Sequence, residues 1–180
     1  MKSFHLQADS RPMVNITQAA LAAFSSCILI DFQGFFLTNW ANLPPPLVSN
    51  IPATVLAPGP NTTAGQVWNI TLTGDSLGPF AVQNFTTGMF LGFTQSFLQS
   101  FTQAVLQGTQ ANFNIRPALG IPGAFTITAK FGDAALTSWK AVSPLDHGTV
   151  TWEFFTPGFA QQAWSLRNAS DPKTSCVLPA

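Results

Sequence analysis

The chain has 180 residues, of which only 8% are Asp, Glu, Lys or Arg, against about a quarter in an ordinary soluble domain. Seven basic residues balance seven acidic ones, so the field that a phosphate backbone requires is missing and nucleic acid is excluded as a partner. With 46% apolar residues, 17 Phe and 5 Trp, the chain has too much core-forming material to be disordered, and two cysteines are too few for a disulfide-rich scaffold.

Residues 1–14 read as an extended N-terminal arm, with no apolar run of the secretory-leader kind before Asp9 and Arg11. A helix is expected over 17–26. Ala19, Ala20, Ala22 and Ala23 favour it, Asn15 or Thr17 can cap it, and Leu21, Phe24 and Ile28 share one face. A strand to about Leu37 follows, with Gly34 as a bulge. The apolar run 19–40 is long enough to cross a bilayer, but Asp31 and Gln33 interrupt it. It reads as a buried element, and a membrane is not an expected partner. Residues 42–60 form a loop stiffened by Pro44, Pro45 and Pro46.

Gln66 to Thr73 alternates as a strand with Trp68, Ile70 and Leu72 on the buried face. Gly74-Asp75-Ser76 supplies a turn, and Phe80 to Phe85 is the expected hairpin partner. A second helix is expected over 89–107. Phe93, Phe97, Phe101 and Val105 recur every four residues, and Gln95, Gln99, Gln103 and Gln107 form a parallel row on the opposite face. That Gln row either meets another subunit without desolvating a charge or reflects helix propensity alone. Further strands are expected over 124–131, 136–142 and 149–155. The reading is therefore α+β and β-rich: an antiparallel sandwich or barrel of about six to eight strands with two helices. It forms one domain over 15–167 with a tail over 168–180. No internal repeat stands out beyond the Gly-Asp turns at 74 and 132.

Signals for chemistry are few. His5 and His147 are the only histidines, no pair has zinc spacing, and no nucleotide or nucleophile-elbow motif occurs. Neither a metal nor a cofactor is expected. Asp146-His147 is an acid–imidazole neighbour pair close to Glu153, and Asp31 is a carboxylate inside an apolar run, where burial would favour its neutral form. Asp31 reads as an acid or base, as a partner of Arg116 or Lys130, or as a surface residue. Cys27 and Cys176 read either as a disulfide closing almost the whole chain or as a buried thiol and a separate cysteine. Asn15, Asn61, Asn69, Asn84 and Asn168 each begin an N-x-Ser/Thr acceptor.

A surface this poor in charge needs glycans, a permanent assembly or an apolar partner. Two functions follow. The first is a homo-oligomeric structural subunit of a particle, tube or filament, on a virion or outside the cell. The second is a small barrel holding an apolar small molecule, an isomerase or cyclase working through one buried carboxylate.

Overall fold

The computed structural model describes residues 24–39, 51–56, 64–75, 78–94, 100–130, 133–141 and 148–179. These residues form β1 (Phe24–Ile30), β2 (Phe36–Asn39), β3 (Ile51–Leu56), β4 (Trp68–Asp75), β5 (Gly78–Asn84) and β6 (Phe90–Phe93). They continue as β7 (Thr102–Gln107), β8 (Phe113–Pro117), β9 (Phe125–Ala129), β10 (Ala134–Ser138), β11 (Gly148–Phe154) and β12 (Ser165–Asn168). Among the described residues every strand pairing is antiparallel, and the ladder closes on itself. It runs from β10 through β9, β8, β5, β4, β1, β2, β3 and β7 to β11, which pairs back with β10. Closure removes free sheet edges, the usual liability of short strands.

The chain divides into three units of four strands: β1–β4, β5–β8 and β9–β12. In each, the second and third strands form a hairpin, and the three hairpins meet through β3–β7, β7–β11 and β11–β3. Neighbouring units join where β4 meets β5, β8 meets β9 and β12 meets β1. The hairpin registers match residue for residue. Leu37 faces Val55, Leu91 faces Leu106, and Leu136 faces Trp152, all fully buried. Two positions further along, Asn39 faces Ala53, Phe93 faces Ala104, and Ser138 faces Val150.

Tryptophan ties two of the three hairpins to their units. Trp68, opening β4, donates its indole Nε1–H to the Leu37 carbonyl at 2.9 Å, and Trp164, just before β12, donates to the Leu136 carbonyl at 2.9 Å. Two residues earlier, Gln66 and Gln162 end short 3-10 turns (Ala64–Gln66 and Ala160–Gln162). Their amides donate to the hydroxyls of Thr38 and Thr137 at 3.2 and 3.3 Å. Gln-x-Trp at 66–68 and 162–164 is thus one device used twice. The middle unit carries Ala111-Asn112-Phe113 in its place. Phe113 stacks on Trp152 with centroids 5.1 Å apart, and Trp152 donates to the Gly92 carbonyl at 3.0 Å.

The α+β expectation is corrected: the described residues are all-β, with no α-helix. The helix expected over 89–107 is the hairpin of β6 and β7, with Phe90 facing Gln107 and Phe93 facing Ala104. Phe and Thr are weak helix formers, and a glycine inside a helix costs about 1 kcal/mol. Burial of Leu91, Ala104 and Leu106 within the closed sheet outweighs the four-residue period. A β-carbon at Gly92 would displace the Gln107 side chain. Of the helix expected over 17–26, residues 17–23 lie outside the described residues, and 24–26 belong to β1, paired with β4. The strand expected to reach Leu37 breaks at a turn over 31–35, where Gly34 sits at φ +86° as a turn residue.

Cys27 on β1 and Cys176 form a disulfide across 149 positions. The segment after β12 lies over this end of the barrel: Ser175 bridges to Arg167, Ser25 donates to the Val177 carbonyl, and Leu178 packs against the core. A link this long restricts the unfolded chain by about 5 kcal/mol on a chain-entropy argument, while measured losses usually run about 2–4 kcal/mol. Replacing both cysteines by serine is therefore expected to lower the melting temperature by roughly 5–15 °C. Thermal unfolding with and without reductant checks this: reduction should shift the wild-type protein and leave the double variant unmoved.

Candidate functional site

Asp31 is buried, at 6% exposure, in the turn between β1 and β2. Its Oδ1 accepts from the amides of Gln33 at 2.9 Å and Phe35 at 2.8 Å, and its Oδ2 accepts from the Ser138 hydroxyl at 2.6 Å. The carboxylate therefore shapes a turn and fastens the first unit to β10, rather than pairing with Arg116 or Lys130. Gln33 adds to the same seam by accepting from the Ala141 amide at 3.1 Å.

Glu153 is the second buried carboxylate, at 8% exposure. Its Oε1 accepts from the Phe101 amide at 2.8 Å and from the Thr151 hydroxyl at 2.5 Å. Thr151 in turn accepts from the Trp139 indole at 2.7 Å. Phe101 takes a left-handed backbone, φ 63°, that disfavours bulky residues. Its ring is 70% exposed and stacks on Trp139. Asp146 and His147 lie outside the described residues.

The sequon asparagines separate by burial. Asn15 and Asn61 lie outside the described residues. Asn84 is fully buried, donating to the carbonyls of Gly65 and Val67 and accepting from Thr87 and Asn39. Asn69 is half-buried and accepts from the Ser26 hydroxyl at 2.9 Å. Asn168 is half-buried and accepts from the Ser170 amide at 2.8 Å. Of the Gln row, Gln95 and Gln99 lie outside the described residues. Gln103 turns into the centre of the three hairpins, donating to the Val150 carbonyl at 2.7 Å and the Ala104 carbonyl at 3.2 Å. Gln107 bonds its own loop through the Thr109 carbonyl. Gln103 and Gln107 lie on a strand, not on a helical face.

A groove of about 430 Å³ lies along the outer face of β8 and β9. Alternation along these strands sends Phe113, Ile115, Ile127 and Ala129 into the core, so the residues between them point outward. Cross-strand register sets Asn114 beside Thr128 and Arg116 beside Thr126, giving a floor of amide, hydroxyl and guanidinium groups. Lys130 and Asp133 lie at one end of the groove, and Leu119 and Phe155 form an apolar rim. Phe155 is held there by donating its amide to the Asp133 carbonyl. A second groove, about 320 Å³, runs between Ser25, Ser26 and Asn168 beside the disulfide.

The outer-face residues carried no catalytic motif and were missed, although alternation over 124–131 already placed Thr126, Thr128 and Lys130 on one face. Trp68, Trp152 and Trp164 are fully buried in the core and line neither groove. Among the described residues no His, Cys, Asp and Glu gather as a metal site, and no helix is long and apolar enough to cross a membrane.

No protein-family model and no curated protein sequence matches the chain. Solved structures do. A designed threefold-symmetric protein, ThreeFoil, superposes with a TM-score of 0.65 at 15% identity, covering 78% of this chain and 96% of that one. The Macrolepiota procera ricin B-like lectin, solved in complex with lactose, gives 0.64 at 14%, covering 80% and 95%. The Rhizoctonia solani agglutinin gives 0.65 at 18%, covering 80% and 94%. These likenesses show the fold, a β-trefoil-like arrangement, and agree with the three units traced above.

The structural part given to Asp31 is directly testable. Asp31→Ala removes the acceptor of two backbone amides and a buried hydroxyl, a loss of about 2–3 kcal/mol for bonds to a charged acceptor. Urea unfolding should show that loss, and Asp31→Asn, which keeps one carbonyl oxygen, should recover part of it.

Proposed function

We propose that the protein is a carbohydrate-binding module whose site is the groove over β8 and β9. One observation carries this reading. In a chain whose surface is almost without charge, amide, hydroxyl, cationic and carboxylate groups converge on one open groove with an apolar rim. Sugars need that mixture: hydroxyls pair with acceptors and donors at fixed spacing, while their C–H faces lie on apolar side chains. Outward-facing strand residues are rigid, so the groove is held ready for its ligand and little ordering is needed on binding. The likeness to a lectin solved with lactose and to an agglutinin supports the reading through the shared fold. A glycan array followed by titration calorimetry tests it. Binding to at least one glycan class is expected, and Asn114→Ala or Asp133→Ala should each weaken it by about tenfold, the value of one net hydrogen bond. Absence of binding at millimolar glycan, or binding indifferent to both changes, would overturn the proposal.

A second reading, an extracellular or virion-borne assembly subunit, is favoured by a separate observation. Phe85, Phe101, Leu119 and Phe154 each expose more than half of their surface, and the chain is only 8% charged, leaving little to oppose association. Light scattering over a range of concentrations is expected to give masses above the 19.2 kDa of one chain. A monomer at every concentration would remove this reading without touching the first.

A further inference from the structure

We infer that the groove selects an acidic glycan, one whose carboxylate or sulfate group pairs with Arg116; this rests on reading the groove as a sugar site. The chain has seven basic residues in all, and two of them, Arg116 and Lys130, lie in this groove. Outside the groove, Lys140, Asp171 and Lys173 are also exposed, but most of the polar residues are Ser, Thr, Asn and Gln, so a guanidinium in the groove floor is not the default choice. Arg116 is exposed on β8, and none of the described hydrogen bonds involves its side chain. Guanidinium is the side chain best matched to a planar carboxylate or a sulfate, because it presents two parallel N–H groups.

The groove also has a direction. Arg116 pairs in register with Thr126, and Lys130 lies four residues further along the chain. At about 3.4 Å per residue, the two backbone positions are roughly 14 Å apart. Asp133 stands at the Lys130 end, where its carboxylate repels a second anion and accepts from hydroxyls instead. Asn114 and Thr128 fill the space between. A ligand matching this pattern has an acidic group at one end and neutral hydroxyls along the rest, which describes an oligosaccharide with an acidic residue. A single small anion is too short to use both ends.

Paired oligosaccharides test the assignment on the whole chain: a uronic acid oligomer against its carboxyl-reduced form, and a sulfated oligomer against its desulfated form. The acidic member of at least one pair is expected to bind tenfold or more tighter, with affinity falling as salt rises; the pair that responds identifies carboxylate or sulfate. Arg116→Gln should bring the acidic-to-neutral ratio close to one, Arg116→Lys should restore part of it, and Asp133→Asn should raise it. Melting curves for each variant verify that the fold is kept, as expected for exposed positions. Equal binding of acidic and neutral members, or a preference that survives Arg116→Gln, overturns this inference and leaves the glycan-binding proposal standing. Binding of no member of either pair overturns this inference, and absence of binding across the glycan array as well overturns both. Equal competition by single-stranded DNA of the same charge also overturns it, since the groove would then read charge without the sugar.

Discussion

Two indole N–H groups set the frame on which the rest of the molecule depends. A buried tryptophan must place its N–H on an acceptor, and Trp68 and Trp164 both place theirs on the carbonyl of a leucine in the second strand of their own unit. That bond fixes how far the hairpin leans over the barrel. With Leu37 and Leu136 so held, their cross-strand partners Val55 and Trp152 arrive at the molecular centre. There the three hairpins pair with one another and the ten-strand ladder closes. The glutamine two residues before each indole adds a second tether, to the threonine that follows the leucine.

The middle unit lacks this device, and the way it manages without it shapes the remainder. Phe113 fills the indole position but has no N–H to donate. Trp152, from the third unit, stacks on it and supplies a donor to the Gly92 carbonyl. The frame is thus completed across a unit boundary. Counting three residues on from Trp68, Phe113 and Trp164 leads to Thr71, Arg116 and Arg167, three matching places on the outer face. Arg167 is half-buried, its backbone bridged to Ser175 in the segment held by the disulfide. Arg116 stands in an open groove. One position in the threefold plan is therefore covered by the chain's own C-terminal segment, while another is presented to solvent.

Much of the strand content was legible because burial on one face leaves a period of two. Trp68, Ile70 and Leu72 announced β4, and the Gly-Asp turn announced its hairpin with β5. The threefold plan was not legible because its marks are sparse. Gln-x-Trp occurs at 66–68 and 162–164, nearly a hundred residues apart, and the middle copy has become Ala-x-Phe. The helix expected over 89–107 rests on Phe93, Phe97, Phe101 and Val105, which happen to fall four apart. The competing alternation, Leu91 and Phe93 against Ala104 and Leu106, is visible only once two separate segments are laid side by side. Asp31 was legible as unusual, an isolated carboxylate in an apolar run, but its partners, the backbone amides of Gln33 and Phe35 in the turn it shapes, were not. The groove escaped notice for the opposite reason. Its residues are ordinary polar choices on strand faces, and their convergence depends on the register of β8 with β9.

The scarcity of charge gives that convergence its weight. A charged side chain must stay hydrated or find compensating partners, and a protein with few of them reveals where each is used. Asp31 and Glu153 are turned inward, each accepting a backbone amide and a hydroxyl, so their role lies within the fold. Arg167 sits under the C-terminal segment. Arg116, Lys130 and Asp133 are different: they stand on one outward face, together with an amide and two hydroxyls, and beside an apolar rim. Internal stability does not require charges there, because the core beneath is closed by Phe113, Ile115 and Ile127 whatever lies above it. Neutral groups in those places would leave that core as it is. Arg116 makes no side-chain hydrogen bond among the described residues, and the hydroxyl and amide groups beside it are the arrangement on which the proposed sugar site rests.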